Sequence, residues 1–229
     1  MKFTSNHALL GVWTTAVLLT TGASAGVVTV TNSVGATVYT SANNTAALTD
    51  AMNWVNAHSG NYGVQAQSGR YDAGTNIASN ASLTWGSSPG VIDLMGGMNV
   101  QASGQMLFEI AGTNNSAAPT TGVVDYDTVL ADGSVTYFGT LSVTLLSGFT
   151  PALGNSFQLI ATTTGNTVTW NGTLDAPTLA AGLAWQVSVA PSTLAGFGGQ
   201  SLYLTVVPAP GALALLGTAG IIGVRRRRN

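Results

Sequence analysis

Two aspartates stand two residues apart in the run Asp125-Tyr126-Asp127, the plainest pairing of reactive groups in this chain. In an extended strand both would point to one face, with Tyr126 on the other. A pair of acids can hydrolyse a glycosidic bond or hold calcium. The run lacks the glycine and further acids of calcium-binding loops, so the expected role is a solvated strand edge or turn. Glu109 lies between Phe108 and Ile110 in an alternating apolar segment. That position predicts a carboxylate facing solvent or a neighbouring row of Thr or Asn.

His58 is the only histidine beyond the N-terminal segment, and it has no partner at metal-ligand or triad spacing. It falls at the end of a predicted helix, where a positive charge suits the dipole. No Gly-x-Ser-x-Gly, His-Glu-x-x-His or P-loop occurs, and cysteine is absent, which excludes a thiol nucleophile and a disulfide framework. No catalytic residue, cofactor or metal is therefore expected. Trp54, Trp85, Trp170 and Trp185, with Tyr62, Tyr71, Tyr126, Tyr137 and Tyr203, could form a sugar-stacking platform. Aromatic residues spread singly over a β protein are more often core or inter-strand stacks.

Charge narrows the partners. Of six basic residues, Lys2 and Arg225, Arg226, Arg227 and Arg228 lie at the chain ends, leaving Arg70 alone in the body. All eight acids lie in the body: Asp50, Asp72, Asp93, Glu109, Asp125, Asp127, Asp132 and Asp175. The body charge is thus 1 − 8 = −7. No nucleic acid is expected as a partner, because phosphate contacts need Lys and Arg.

Both ends read as addresses. Lys2, an apolar run through Leu19 and the small-residue pattern Ala23-Ser24-Ala25 predict a signal peptide over residues 1–25, with the mature chain starting at Gly26. At the other end, residues 206–229 hold a proline pair, an apolar run and an arginine cluster in that order. The 19 residues from Val206 to Val224 carry no charge, enough for a helix to cover the ~30 Å of bilayer hydrocarbon. The prolines are expected in its first turn, and Arg225 to Arg228 would hold the far end on the cytoplasmic side. This tail resembles the bacterial PEP-CTERM sorting signal processed by exosortases. The matching short motif is Val207-Pro208-Ala209-Pro210, in which Ala209 replaces the family's central glutamate. The resemblance implies the secretion machinery and an exosortase-like membrane protease as partners. It also implies transient inner-membrane anchoring through the C-terminal helix, then a place at the cell surface or outside the cell. An ordinary C-terminal membrane anchor is the alternative.

Between these ends, residues 26–205 predict one β-rich extracellular domain, abundant in Gly, Thr, Ser, Asn and Ala with Val, Leu and Ile alternating. Val27 to Thr31 reads as the first strand. A helix is expected after Asn44 as N-cap, with Leu48, Ala51, Met52 and Val55 on its apolar face and Gly60 past its end. Tyr62 to Gln67 alternates as a strand, and Ser68 to Tyr71 is expected to turn. The stretch from Thr45 through Gly69-Arg70-Tyr71 to Trp85 resembles the opening of pectin-lyase-like right-handed β-helices. In that family a short helix caps the coil and a Gly-x-Tyr turn closes the first rung. Ala78 to Trp85, Val91 to Met95 and Met98 to Gln101 would make the next rung, turning at Gly96-Gly97.

Later segments, Gln105 to Gly112, Gly139 to Leu145 and Gly154 to Ile160, are similar to β-strand-rich modules of autotransporter-like and PEP-CTERM proteins. The tripeptides Gly139-Thr140-Leu141 and Gly172-Thr173-Leu174 echo each other but are too short to define a repeat. A polysaccharide lyase would need a cation to neutralise the uronate, and Arg70 is the only one available.

The expected fold is all-β: a short right-handed parallel β-solenoid with an N-terminal capping helix, strands after Gly104 continuing it or forming a β-sandwich, and a C-terminal hydrophobic helix. The expected function is that of a non-enzymatic exported surface or extracellular-matrix protein. The alternative is a carbohydrate-binding module on secreted exopolysaccharide.

Overall fold

The computed structural model describes residues 26–72, 74–86, 89–115 and 124–211. The signal-peptide positions Ala23 and Ala25, and the apolar run and Arg225 to Arg228 of the tail, lie outside the described residues. The described chain is mostly β-strand with one short helix, and its sheets are not closed.

The chain opens with a hairpin, β1 (Val28–Thr31) and β2 (Thr37–Thr40), followed by α1 (Ala47–Asn56). It then coils. The first rung is β3 (Tyr62–Ala66), β4 (Gly69–Tyr71) and β5 (Thr75–Ile77); the second is β6 (Ala81–Trp85), β7 (Val91–Leu94) and β8 (Met98–Val100). The third begins with the long β9 (Gln105–Asn115), on which β10 (Val124–Tyr126) folds back antiparallel, and continues with β11 (Thr128–Ala131) and β12 (Val135–Tyr137). β13 (Thr140–Leu145), β14 (Ser156–Thr162) and β15 (Val168–Trp170) form the fourth, and β16 (Thr173–Asp175) begins a fifth. Each rung pairs in parallel with its predecessor, so β3, β6, β9, β13 and β16 share one sheet. β4, β7, β11 and β14 share a second, and β5, β8, β12 and β15 a third. The strands beyond Gly104 therefore continue the parallel stack. The chain closes with an antiparallel hairpin, β17 (Leu183–Pro191) and β18 (Gln200–Pro208), joined to the second sheet through β14.

Alternation explains which side chains fill the coil. Val64, Leu83, Met106 and Leu141 are ladder neighbours on the first sheet, and all are buried. Trp85 and Phe108 meet edge to face at 4.9 Å in the same interior. Ile92, Val129 and Ile160 line the second sheet, and Val100 and Tyr137 the third. One outward row on the first sheet is uncharged and mostly polar: Gly63, Ser82, Gln105, Thr140 and Thr173 follow one another across it.

The helix covers the open N-terminal end. Leu48, Ala51, Met52 and Val55 are buried as the periodicity predicts, packed toward β1 and β5. Its start differs from expectation. Ala46 is the N-cap and no side chain caps it; Asn44 contributes only its carbonyl, to Ala47 N–H at 3.1 Å. The start is instead clamped to the first rung: Thr45 Oγ1 donates to Asp72 Oδ2 at 2.6 Å, and Asp72 N–H donates to Thr45 O at 2.7 Å. At the other end Asn80 Nδ2 reaches the carbonyls of Val55, His58 and Gly60. Gly69-Arg70-Tyr71 is a strand rather than a turn. Tyr71 is fully buried and its hydroxyl donates to Gln67 O at 2.6 Å, so this tripeptide belongs to the core wall.

The echoing glycine tripeptides occupy equivalent places in successive rungs. Thr140 N–H donates to Gly104 O at 2.8 Å and Thr173 N–H to Gly139 O at 3.0 Å. A Cβ on Gly139 would collide with the Gly104 carbonyl oxygen, and one on Gly172 would come within 2.5 Å of Gly139 O. Backbone lies against backbone here, so only glycine fits. Gly165, with φ +86° and no atom within 4 Å, has room but a left-handed conformation. Gly139→Ala should lower the unfolding free energy by about 2–3 kcal/mol, through overpacking against main chain. Gly165→Ala should lower it by only about 1–2 kcal/mol. Urea unfolding of both variants tests the ranking; equal losses would show that the glycine stack is not tight.

Candidate functional site

The acidic pair of the sequence is taken apart by the fold. Asp125 lies in β10, and its Oδ2 accepts the Asn114 N–H at 3.0 Å from the strand opposite. Asp127 follows β10, is fully buried, and its carboxylate accepts the Gly90 N–H at 2.6 Å and the Glu109 N–H at 2.9 Å. One carboxylate thus ties the residue before β7 to the middle of β9, joining the second and third rungs. The two acids answer to different backbone groups and do not act as a pair. Burial pushes the Asp127 carboxyl up to about 7, against the two N–H bonds, which favour the charged form; nearby Glu109 adds to the rise. Glu109 itself is half-buried and stands opposite Thr144, as the alternation predicts.

The body's single cation is engaged as well. β4 sets Arg70 directly beside Asp93 of β7, with Nη1 3.5 Å from Asp93 Oδ2, and Nη2 donates to Asp132 Oδ2 at 3.1 Å. Arg70 and Asp132 are about a third exposed, whereas Asp93 is nearly covered and its Oδ1 is buried without a hydrogen-bond partner. Burial raises the Asp93 pKa, Arg70 lowers it, and Asp132 adds to the rise. The exposed arm to Asp132 contributes at most about 1 kcal/mol. Chemically the cluster is a neutralised cation, not a free uronate anchor.

The aromatic residues divide between core and cap. Trp85 is buried; Trp170 lies 5.1 Å from Tyr137; Trp185 packs 6.0 Å from Phe157 and donates Nε1–H to Pro177 O at 2.9 Å. Trp54 forms a stack at the N-terminal end, with His58 at 3.9 Å, Tyr39 at 5.7 Å and Tyr62 edge-on at 5.3 Å. His58 Nδ1 lies 2.7 Å from Trp54 O, so the histidine closes the last helical turn. Among the described residues the tryptophans do not assemble on one exposed face.

Beside this stack runs an open groove of about 440 Å³, with Asn61, Tyr62, Ser79, Asn80, Ser82 and Gln105 among its lining residues. No charged side chain lines it. Ser82 Oγ donates to Gln105 Oε1 at 3.0 Å, and Gln105 Nε2 reaches Ser142 Oγ, so part of its floor is already hydrogen-bonded. Sequence patterning missed this groove because it joins loops 33, 61, 79 and 103 with three strands. Among the described residues no group of three or more His, Asp or Glu is placed to hold a metal ion.

Gly26, the expected first residue of the mature chain, packs against Gln67. The expected sorting motif enters the last strand. Val207 and Pro208 belong to β18, opposite Ala184 and Leu183, and Ala209 N–H donates to Gly182 O at 2.8 Å. β18 thus runs past residue 205, and Pro208 is a strand residue rather than the start of a helix. Proline is tolerated there because β14 has already ended at its Ser156–Thr205 pair, so no ladder bond is lost. Among the described residues no helix is long and apolar enough to cross a membrane. No family model matches this chain, and no curated protein is significantly similar to it.

Asp127 generates a pH dependence with a definite sign. Its folded pKa lies near 7 and its unfolded value near 3.8, so the folded state holds a proton that the unfolded state releases. Stability from this group should be greatest below about pH 4, fall as pH rises toward 7, and level off above. Asp127→Asn should remove that part of the slope. At pH 5 the variant should also be less stable by about 1–3 kcal/mol: a protonated carboxyl keeps a lone pair on each oxygen, whereas an amide nitrogen offers none to the second N–H. Denaturation of both proteins at pH 4–8 measures this, and an unchanged slope in the variant would assign the titration elsewhere.

Proposed function

We propose that this chain is a non-enzymatic exported bacterial protein of the cell surface or extracellular matrix, carrying a PEP-CTERM-like sorting tail processed by an exosortase. The observation that carries the non-enzymatic reading is the engagement of Arg70, Asp125, Asp127 and His58 in structural contacts. Arg70 lies between two carboxylates, Asp127 holds two backbone N–H groups, Asp125 holds one, and His58 closes a helix. A polysaccharide lyase would need that arginine free to meet a uronate. The parallel rungs and the covering helix support a right-handed solenoid of the pectin-lyase-like kind, used as a scaffold. Residues 1–25 act as the signal peptide in this reading, and Arg225 to Arg228 orient the tail.

Intact mass of the protein recovered from the native surface or medium tests the sorting. The expected C-terminus lies between Val207 and Pro210. Because β18 holds Val207 and Pro208, cleavage at Ala209 or Pro210 leaves the last strand whole. A C-terminus at Asn229 would make the tail a permanent anchor and overturn the exosortase reading.

A second reading, carbohydrate binding, is favoured by one observation: the uncharged groove beside Tyr62. Hydroxyl and amide groups flanked by an aromatic ring suit a neutral sugar. Asn61 is exposed on its rim, so Asn61→Ala should leave the fold intact. If the reading holds, this change weakens retardation in affinity gels containing neutral exopolysaccharide by about threefold or more, a typical loss for one hydrogen bond. No retardation of the parent protein would remove the reading.

A further inference from the structure

The outer edge of β17 is an open β-ladder. β17 ends the second sheet, pairs with β18 on one side, and has no strand on the other among the described residues. Two flanking hydrogen bonds set the phase of the hairpin. Ser192 N–H donates to Gly199 O and Ala209 N–H to Gly182 O, both at 2.8 Å. In an antiparallel pair, hydrogen-bonded positions alternate. Ala184, Gln186, Ser188 and Ala190 therefore direct their main-chain groups to β18, whereas Trp185, Val187 and Val189 direct theirs outward. Leu183 also points outward, but its N–H is taken by Ala180 O at 3.1 Å. Trp185, Val187 and Val189 thus offer three N–H and three C=O groups in regular alternation along the free edge, and Leu183 adds a further C=O at its start.

Exposed edges are normally blunted by charge, proline or a bulge. β17 has none of these before its last residue, Pro191, and its register with β18 is unbroken over nine pairs. From Ala176 to Val224 the chain carries no charged side chain. β17 and β18 themselves carry no charged side chain, so the paired hairpins of two copies bring no like charges together along the seam.

We propose that β17 pairs antiparallel with β17 of a second copy of this chain, about a two-fold axis through Val187. The edge is self-complementary in that arrangement. Val187 meets Val187 of the partner copy, and Trp185 meets Val189 in both directions. All outward main-chain groups of these three residues are then satisfied, by two bonds per pair and six in all. Gln186 and Ser188 lie opposite each other across the new seam as non-hydrogen-bonded neighbours, with Cα atoms about 4.5 Å apart. This inference goes beyond the proposed function and does not rest on it.

The absence of cysteine makes the register testable by disulfide trapping. Gln186 and Ser188 are exposed, so Gln186→Cys and Ser188→Cys leave the core untouched. The full chain carrying one change is mixed in detergent with the full chain carrying the other and mildly oxidised. The geometry allows the crossed disulfide, since its Cα separation falls within the range of about 4.4–6.8 Å that disulfides tolerate. The crossed dimer, read by mass after non-reducing electrophoresis, should exceed the dimer from either protein alone by about fivefold. Val189→Pro in both proteins removes an outward N–H without touching a β17–β18 bond, and should return trapping to background while leaving the circular dichroism unchanged. Crossed dimer no more abundant than the self-dimers would overturn the proposal. So would trapping that survives Val189→Pro.

Discussion

Every rung of this coil depends on the next rung for its backbone hydrogen bonds. Parallel pairing passes from β3 to β16 on the first sheet and from β4 to β14 on the second. A stack of this kind has no natural end, because its terminal rungs expose both unpaired main-chain groups and the apolar interior. Both ends are finished by an antiparallel hairpin, β1–β2 on β3 and β17–β18 on β14, and the start carries a helix as well. At the start, α1 lays Leu48, Met52 and Val55 over the interior and is fastened by Thr45, Asp72 and Asn80. At the finish, strand direction reverses: β18 runs antiparallel to β14 and buries Leu202, Leu204 and Val206, while Trp185 and Val187 of β17 pack behind them. Reversal stops the coil from propagating but leaves an outer strand.

In-register stacking also accounts for the scarcity of charge. Outward residues of neighbouring rungs stand directly over one another, so an acid repeated at one position would face an acid on each side. Uncharged polar residues escape this and bond along the stack. Asn99 donates to Asn76 at 3.0 Å, Thr140 and Thr173 share a hydrogen bond at 3.1 Å, and Ser82 donates to Gln105 at 3.0 Å. Where charges do meet across rungs, Arg70 lies between Asp93 and Asp132 and offsets their repulsion. The low charge of the body is therefore a composition that suits a stacked β-coil.

Local pattern was readable in this chain and long-range registration was not. The helix face, the strands β3, β6, β7 and β8, and the alternation of Leu141, Val143 and Leu145 follow from side-chain periodicity alone, whereas β4, expected as a turn, and β5 do not. The repeat escaped notice because the rungs are unequal: Gly63, Ser82, Gln105, Thr140 and Thr173 are ladder neighbours at intervals of 19, 23, 35 and 33 residues. Inserted loops of different length erase any fixed period. Asn44 misled because its capping propensity is local, whereas the helix start is fixed by a contact between Thr45 and Asp72, 27 residues apart. Asp127 looked like a turn acid beside Asp125, since nothing in Asp125-Tyr126-Asp127 reveals that Gly90 and Glu109 will present their N–H groups to it.

The position of the proline motif links the finish of the coil to the proposed address. β18 passes directly into Ala209 and Pro210, so the last strand and the proposed tail are joined without a spacer. On the sorting reading, the C-terminal end of the coil is then the end held nearest the membrane before processing. That end carries the uncharged β17–β18 hairpin and the open edge of β17. Tethering confines copies to a surface with their edges at one height, which raises the effective concentration for a contact that would be weak in solution.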